Sequence, residues 1–378
     1  MHEWKVPLGR LEFGEDEIEA VAAVYRSGWL SMGPRTEELE RRFAEYTGAR
    51  HAVAVTNGTA ALHLICLAAG IGPGDEVIVP SLTFVATVNA VRYVGATPVF
   101  ADVNGVDRPW LAPAAVSGRI SDQTAAIINM AYGGHPGDTA ALAELAADRG
   151  LVLLEDAAHG LGASAGGRHL GTFGLAGAFS FFSNKNLPVG EGGMVVTDDD
   201  GVAERTRLLR SHAMTAVSWD RRRGRASGYD VRELGFNYRI DEPRAALATA
   251  RLARLDRDNS LRAERAVAYR EALAAIAGVE PTAAPAGDSI SAHHLFTAVL
   301  DRDLDRAAIR ESLAGDGIET SLHYPPVHRL SAYSRTADGV NLPQTDEYAT
   351  RAITLPLHPS LSQEEVGYVA DRLAAAVR

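Results

Sequence analysis

The chain has 378 residues, of which 46% are apolar and 22% charged, with a formal net charge of −11. That length can bury a large core and accommodates two domains, and the negative balance disfavours a nucleic-acid backbone as partner. A single cysteine, Cys66, excludes an internal disulfide; it lies in the apolar run 60–69 and reads as a buried, inert thiol. The N-terminus, Met1 to Val6, shows no apolar signal core, and no run of about 18 apolar residues could span a membrane, so no membrane partner and a cytoplasmic location are expected.

In chain order, apolar spacing predicts helices over 16–26 and 36–46, a strand over 51–56, a helix over 59–69 and a strand over 76–79. A helix over 84–94, strands over 98–101 and 125–130, a helix over 139–149 and a strand over 151–155 follow. Strands over 178–182 and 194–197 and a helix over 202–210 complete the series. Alternation of continuous apolar strands with helices predicts an α/β architecture with a mostly parallel sheet of seven strands covered on both faces. After Asp241 the pattern changes to one long alanine- and arginine-rich helix over about 242–276, a strand over 294–300, and helices over 304–314 and 363–377. The expected division is a large domain over 1–250 and a smaller C-terminal α+β domain over 251–378. The segment 213–229, with its run Arg221 to Arg225, reads as flexible and either solvated or a clamp for a diphosphate.

The chemistry concentrates at Lys185 and Asp156. Lys185 lies among aromatic, apolar and glycine residues (178–193), where lost hydration lowers an ammonium pKa and frees a nucleophilic amine. Asp156 ends the apolar run 151–155, the position at which open α/β sheets bind ligands. It is either the acid that keeps a pyridinium nitrogen protonated or simply the first polar residue after a strand. A Schiff-base lysine and a carboxylate partner are the two anchors that pyridoxal 5'-phosphate (PLP) requires.

The run Thr56-Asn57-Gly58-Thr59-Ala60 leaves a strand and opens a helix, which suits either a phosphate cradle or an ordinary capped turn. Ser180 is either a phosphate donor or structural. Phe84 either stacks on a planar ring or belongs to the core. His159 either meets the cofactor's phenolic oxygen or is a satisfied core histidine. His323 and Tyr324 either border a polar substrate or form a rigid turn. The histidines are scattered, and adjacent His293 and His294 suit one ion poorly if they lie in a strand, so no metal is expected.

Taken in order, Gly28-Trp29-Leu30, Asn57-Gly58-Thr59-Ala60-Ala61-Leu62, the run 72–80, Glu155-Asp156-Ala157-Ala158-His159, Lys185-Asn186, Gly190-Glu191-Gly192-Gly193, Gly235-Phe236-Asn237 and His323-Tyr324-Pro325-Pro326 resemble the DegT/DnrJ-type sugar aminotransferases of fold type I nearly end to end. The resemblance implies PLP as cofactor, with pyridoxamine phosphate between half-reactions, and Lys185 as the lysine that holds it. It implies Asp156 at the ring nitrogen, Gly58, Thr59 and Ser180 at the phosphate, Phe84 on the ring and His159 beside it. Asn237 would reach the cofactor of a neighbouring subunit, giving a homodimer with shared sites. Trp29, Glu191, His212, His323 and Tyr324 would border the sugar.

The implied reaction passes an amino group from L-glutamate to a nucleotide-linked keto-deoxysugar. His159, where the family often has glutamine, points to C4 and so to dTDP-4-keto-6-deoxyglucose. Met130 stands where the family often has a histidine. The alternatives are a C3 sugar or keto-cyclitol aminotransferase, a PLP-dependent sugar dehydratase, which would lack the lysine, or a non-catalytic protein of the same fold.

Overall fold

The computed structural model describes residues 4–216 and 218–378. The first three residues of the N-terminal hexapeptide, and Val217 within the segment expected to be flexible, lie outside the described residues; that segment contains a short helix, Ser218–Arg222.

The strands are β1 His51–Val55, β2 Glu76–Pro80, β3 Thr97–Ala101, β4 Thr124–Met130, β5 Val152–Asp156, β6 Ser164–Ala165, β7 Arg168–His169, β8 Ala176–Ser180, β9 Gly193–Thr197, β10 Val279–Pro281, β11 Phe296–Leu300 and β12 Ala352–Leu355. Seven form one sheet in the order β1-β9-β8-β5-β4-β2-β3. Only β9 runs antiparallel to its neighbours. Both faces are buried, which is why the strands read as unbroken apolar runs: Val77 and Val79 enter one core and Ile78 another. The carboxyl ends of β1, β5 and β8 lie at one edge, where the helix Gly58–Ala68 also begins.

The C-terminal part carries the antiparallel sheet β10-β11-β12 against helices Leu255–Leu273, Arg306–Gly315 and Gln363–Ala376. Its core joins Tyr269, Phe296, Ile309, Ile353 and Val369, and Val6 from the N-terminal segment is buried in it. Among the described residues, no helix is long and apolar enough to cross a membrane.

Two expectations are corrected. The long helix over 242–276 is two helices, Glu242–Leu252 and Leu255–Leu273. The bend lets Leu252 and Leu255 enter the same core while Arg254 turns to Asp258 and Glu17. No glycine or proline marks it, so periodicity alone runs straight through. The expected strand over 294–300 begins only at Phe296, because the N–H groups of His294 and Leu295 both donate to the Gly133 carbonyl (2.9 and 3.1 Å) after a left-handed His293 (φ 46°). The hairpin β6-β7, the strands β10 and β12 and the helix Pro343–Arg351 escaped the sequence reading; most are too short to show a period.

Candidate active site

A cavity of about 760 Å³ opens at the carboxyl edge of the large sheet. Asp156 closes β5, its backbone paired with Met130 on one side and Ala178 on the other, and is only 3% exposed. Thr87 Oγ1 donates to Asp156 Oδ2 at 2.6 Å, and the Ala158 N–H donates to Oδ1 at 3.1 Å. Thr83 lies 2.6 Å from Thr87; since the Thr87 proton goes to the carboxylate, Thr83 donates to Thr87. Burial pushes the Asp156 pKa up, opposed by these donors and by the charge of Lys185.

Lys185 follows β8 in a turn closed by its own N–H to the Phe182 carbonyl (2.9 Å). Burial brings its pKa down to about 8, while Asp156 acts in the opposite sense. Asn186, the next residue, fixes the turn. Its amide donates to Asn259 Oδ1 (2.8 Å) and to the Ala292 carbonyl (2.7 Å), and its Oδ1 meets His294 Nδ1 at 3.0 Å. The site lysine of the large sheet is thereby tied to a helix and a loop of the C-terminal part.

The opposite wall is a set of buried and half-buried aromatic side chains. The Gly133 N–H donates to His159 Nδ1 (3.2 Å), which places the neutral ring's proton on Nε2, 3.0 Å from the Tyr324 hydroxyl. His159 packs on His294 with centroids 4.1 Å apart, and burial beside Lys185 holds both imidazoles well below their ordinary pKa. His323, within 2.9 Å of Thr354 Oγ1, is lowered by burial to about 4. Its carbonyl accepts from the Tyr132 hydroxyl.

The start of helix Gly58–Ala68 forms a third side. Asn57 caps it by accepting from the Ala60 N–H at 2.8 Å. The N–H groups of Gly58 and Thr59 belong to the first turn, where no intrahelical acceptor exists. A Cβ on Gly58 would stand 2.7 Å from Ser180 Cβ, so only glycine brings the serine so close to the helix start. Free backbone donors, two hydroxyls and the positive helix end make this corner fit a phosphate. Phe84 is 53% exposed, which removes it from the core, and its ring centroid lies 5.9 Å from that of Tyr324.

The cavity therefore gathers Gly58, Thr59, Phe84, Asp156, His159, Ser180, Lys185, Glu191, His323 and Tyr324 from the residues expected on sequence. Three others lie outside its wall. Asn237 is exposed and bridges to Ser211. Trp29 packs on Trp219, centroids 5.1 Å apart, with Arg222 over its ring. His212 has a left-handed backbone (φ 60°) and donates its N–H to Phe236. Sequence reasoning missed Thr87, Asn186, Asn259 and His294. The spacing of Thr83 and Thr87, one helical turn apart after a strand, was the one available clue.

Residues 12–374 match the model of the DegT/DnrJ/EryC1/StrS aminotransferase family. Among solved structures, S. venezuelae DesV in complex with a ketimine intermediate is 38% identical, with a TM-score of 0.91 over 99% of each chain. DesI in the presence of its TDP-sugar product is 32% identical, with a TM-score of 0.87 over 100% of this chain and 94% of that one. Spr1654 from Streptococcus pneumoniae in its PLP form is 28% identical, with a TM-score of 0.90 over 99% of this chain and 98% of that one. The chain is a member of the DegT/DnrJ/EryC1/StrS aminotransferase family.

Proposed function

We propose that the protein is a PLP-dependent aminotransferase passing the amino group of L-glutamate to C4 of dTDP-4-keto-6-deoxyglucose. The observation that carries the reading is one cavity holding a lysine of lowered pKa, a buried strand-end acid and a phosphate-shaped corner. Bound there, PLP supplies an electron sink for charge at the donor's Cα. Gly58, Thr59 and Ser180 would hold its phosphate. Asp156, kept in place by Thr87, would hold a proton on the ring nitrogen, and Phe84 would cover the ring. His159, whose Nε2–H faces the Tyr324 hydroxyl, would offer that proton to the ring's phenolic oxygen.

Lys185 Nζ would hold the cofactor at rest. With a pKa near 8 it is neutral in a sizeable fraction near physiological pH, so it can take the Cα proton of the donor and return one at the sugar carbon that gains the amine. His159 and His294, both buried, and the half-buried His323 and Tyr324 keep neutral polar groups beside that proton path. Glu191, His323 and Tyr324 would border the sugar. Asn237 would reach the cofactor of the neighbouring subunit in a homodimer with shared sites, and Trp29 and His212 would border the sugar from outside the cavity wall of this chain. The working compartment is the cytoplasm, and the large and small parts divide at about residue 250.

The test is an absorbance titration of the PLP-loaded protein with L-glutamate, removal of the excess, then addition of dTDP-4-keto-6-deoxyglucose. Loss of the resting band followed by its return supports the full reading. Loss without return keeps the aminotransferase and rejects this acceptor, and no loss with any amino acid rejects the aminotransferase.

A further inference from the structure

Next to the Lys185 turn lies a second cavity, of about 340 Å³. It is lined by the N-terminal segment 8–12, by the helix Leu255–Leu273 and by the turn 357–360. Phe182, Asn184 and Lys185 line both cavities.

The second cavity contains a charge without a partner. Arg262 is 7% exposed, and among the described residues its Nε and Nη1 find no acceptor. The acid one turn earlier on its helix, Asp258, is already held by Arg254, Nε to Oδ2 at 3.1 Å and Nη2 to Oδ1 at 3.4 Å. Glu319, also in the lining, accepts from the Leu8 N–H through Oε2 at 2.8 Å. Arg251 adds a second buried guanidinium. It is partnered, its Nη2 donating to the Glu12 carbonyl at 2.7 Å and its Nε lying 3.4 Å from Glu17, an acid shared with Arg254. His358, 2% exposed, leaves Nε2 without a partner.

Leaving a guanidinium buried and unpaired is costly, because the lost hydration is not replaced by an opposite charge or an acceptor. One such guanidinium, that of Arg262, beside an open cavity is stabilised when an anion enters it. The geometry points to an oxyanion-binding site in this second cavity, with Arg262 as its charged donor, His358 Nε2 beside it and the partnered Arg251 adding positive charge to the lining. The planar guanidinium fork matches two oxygens of a phosphate. The volume admits either free phosphate or the phosphate end of a nucleotide-linked ligand. The site is a property of the resting protein and does not depend on turnover.

The experiment is calorimetric titration of the PLP-loaded protein, in which the cofactor's own phosphate fills the corner at Gly58, with inorganic phosphate and, separately, dTDP. Inorganic phosphate is expected to bind once per chain, weakened at least about tenfold by Arg262→Met, while any dTDP binding in the main cavity keeps its affinity in that variant. Binding of dTDP about tenfold tighter than phosphate, with the same sensitivity, assigns the site to a nucleotide's phosphates; equal affinities assign it to free anion. In anion-free buffer Arg262→Met should also raise Tm, since it removes an uncompensated charge. If that variant fails to fold, Ser360→Trp, which places a ring in the cavity from the turn 357–360, should abolish binding instead. No phosphate heat up to about 10 mM, or phosphate binding unchanged in the folded variant, overturns the inference. Neither result bears on whether the protein transaminates.

Discussion

The two walls of the main cavity reach the same space by different routes. The wall of Asp156 and Lys185 is built at the ends of β5 and β8, and its key side chains are placed by neighbouring strands and a helix start. The facing wall is assembled from segments far apart in sequence. His159 takes its tautomer from Gly133, its polar partner from Tyr324 and its ring partner from His294. Asn186 joins the two by contacts spanning more than seventy residues to Asn259 and more than a hundred to His294. Reactive groups thus stand on local scaffolding, while their environment depends on how the two parts of the molecule pack.

That contrast can be broken in several places. The largest effect should be that of Lys185→Ala, which is expected to slow each half-reaction about 10,000-fold while leaving the circular-dichroism spectrum unchanged. Full turnover in that variant would dismiss the reading of the sheet-end wall. Asp156→Ala should lower the single-turnover rate about 1,000-fold and His159→Ala markedly less. A reversed order would move the chemistry to the facing wall.

Stability offers a finer test. In the cofactor-free protein the Lys185 pKa is lowered to about 8 from an ordinary value of 10.5. The unfolded chain therefore binds the extra proton between those two pH values, and stability of the native protein rises with pH across that window. Lys185→Met removes this dependence. The variant should exceed the wild type below pH 8 by up to about 3 kcal/mol, and the gap should close as pH approaches about 10.5. Urea unfolding at a series of pH values measures it, and a gap that does not change with pH would show the lysine to be freely hydrated.

Asn186→Ala leaves two buried acceptors and the His294 ring nitrogen without their shared partner, and should cost about 3 kcal/mol by urea unfolding. Thr87→Val withdraws one donor from Asp156 and should cost about 2 kcal/mol. Equal costs would mean that the link between the walls is no more cooperative than the local contact.

Much of the reactive wall was legible in the sequence. Asp156 closes an apolar run, Lys185 stands among apolar and glycine residues, and Gly58 opens a helix after a strand; each of these is a local pattern. The facing wall was legible only as a set of residue types. Nothing in the spacing of His159, His294 and Tyr324 says that they touch, and the bonds from the His294 and Leu295 N–H groups to Gly133, which take both out of the expected strand, leave no periodic trace. Arg262 was silent for a related reason. On the helix Leu255–Leu273 it is one arginine among several, and only packing shows that its neighbouring acid, Asp258, is held by Arg254.

The sequence by itself determined the alternation of strands and helices, the parallel character of the large sheet and the groups at its carboxyl edge. Those follow from side-chain periodicity and from polar residues placed just after buried strands, which are properties of a few consecutive residues. The tertiary structure alone decided where the helix after Asp241 breaks, which nitrogen of His159 carries the proton, and which arginine is left without a counter-charge. Each of these depends on the summed demands of burial and hydrogen bonding among groups that meet only when the chain is folded.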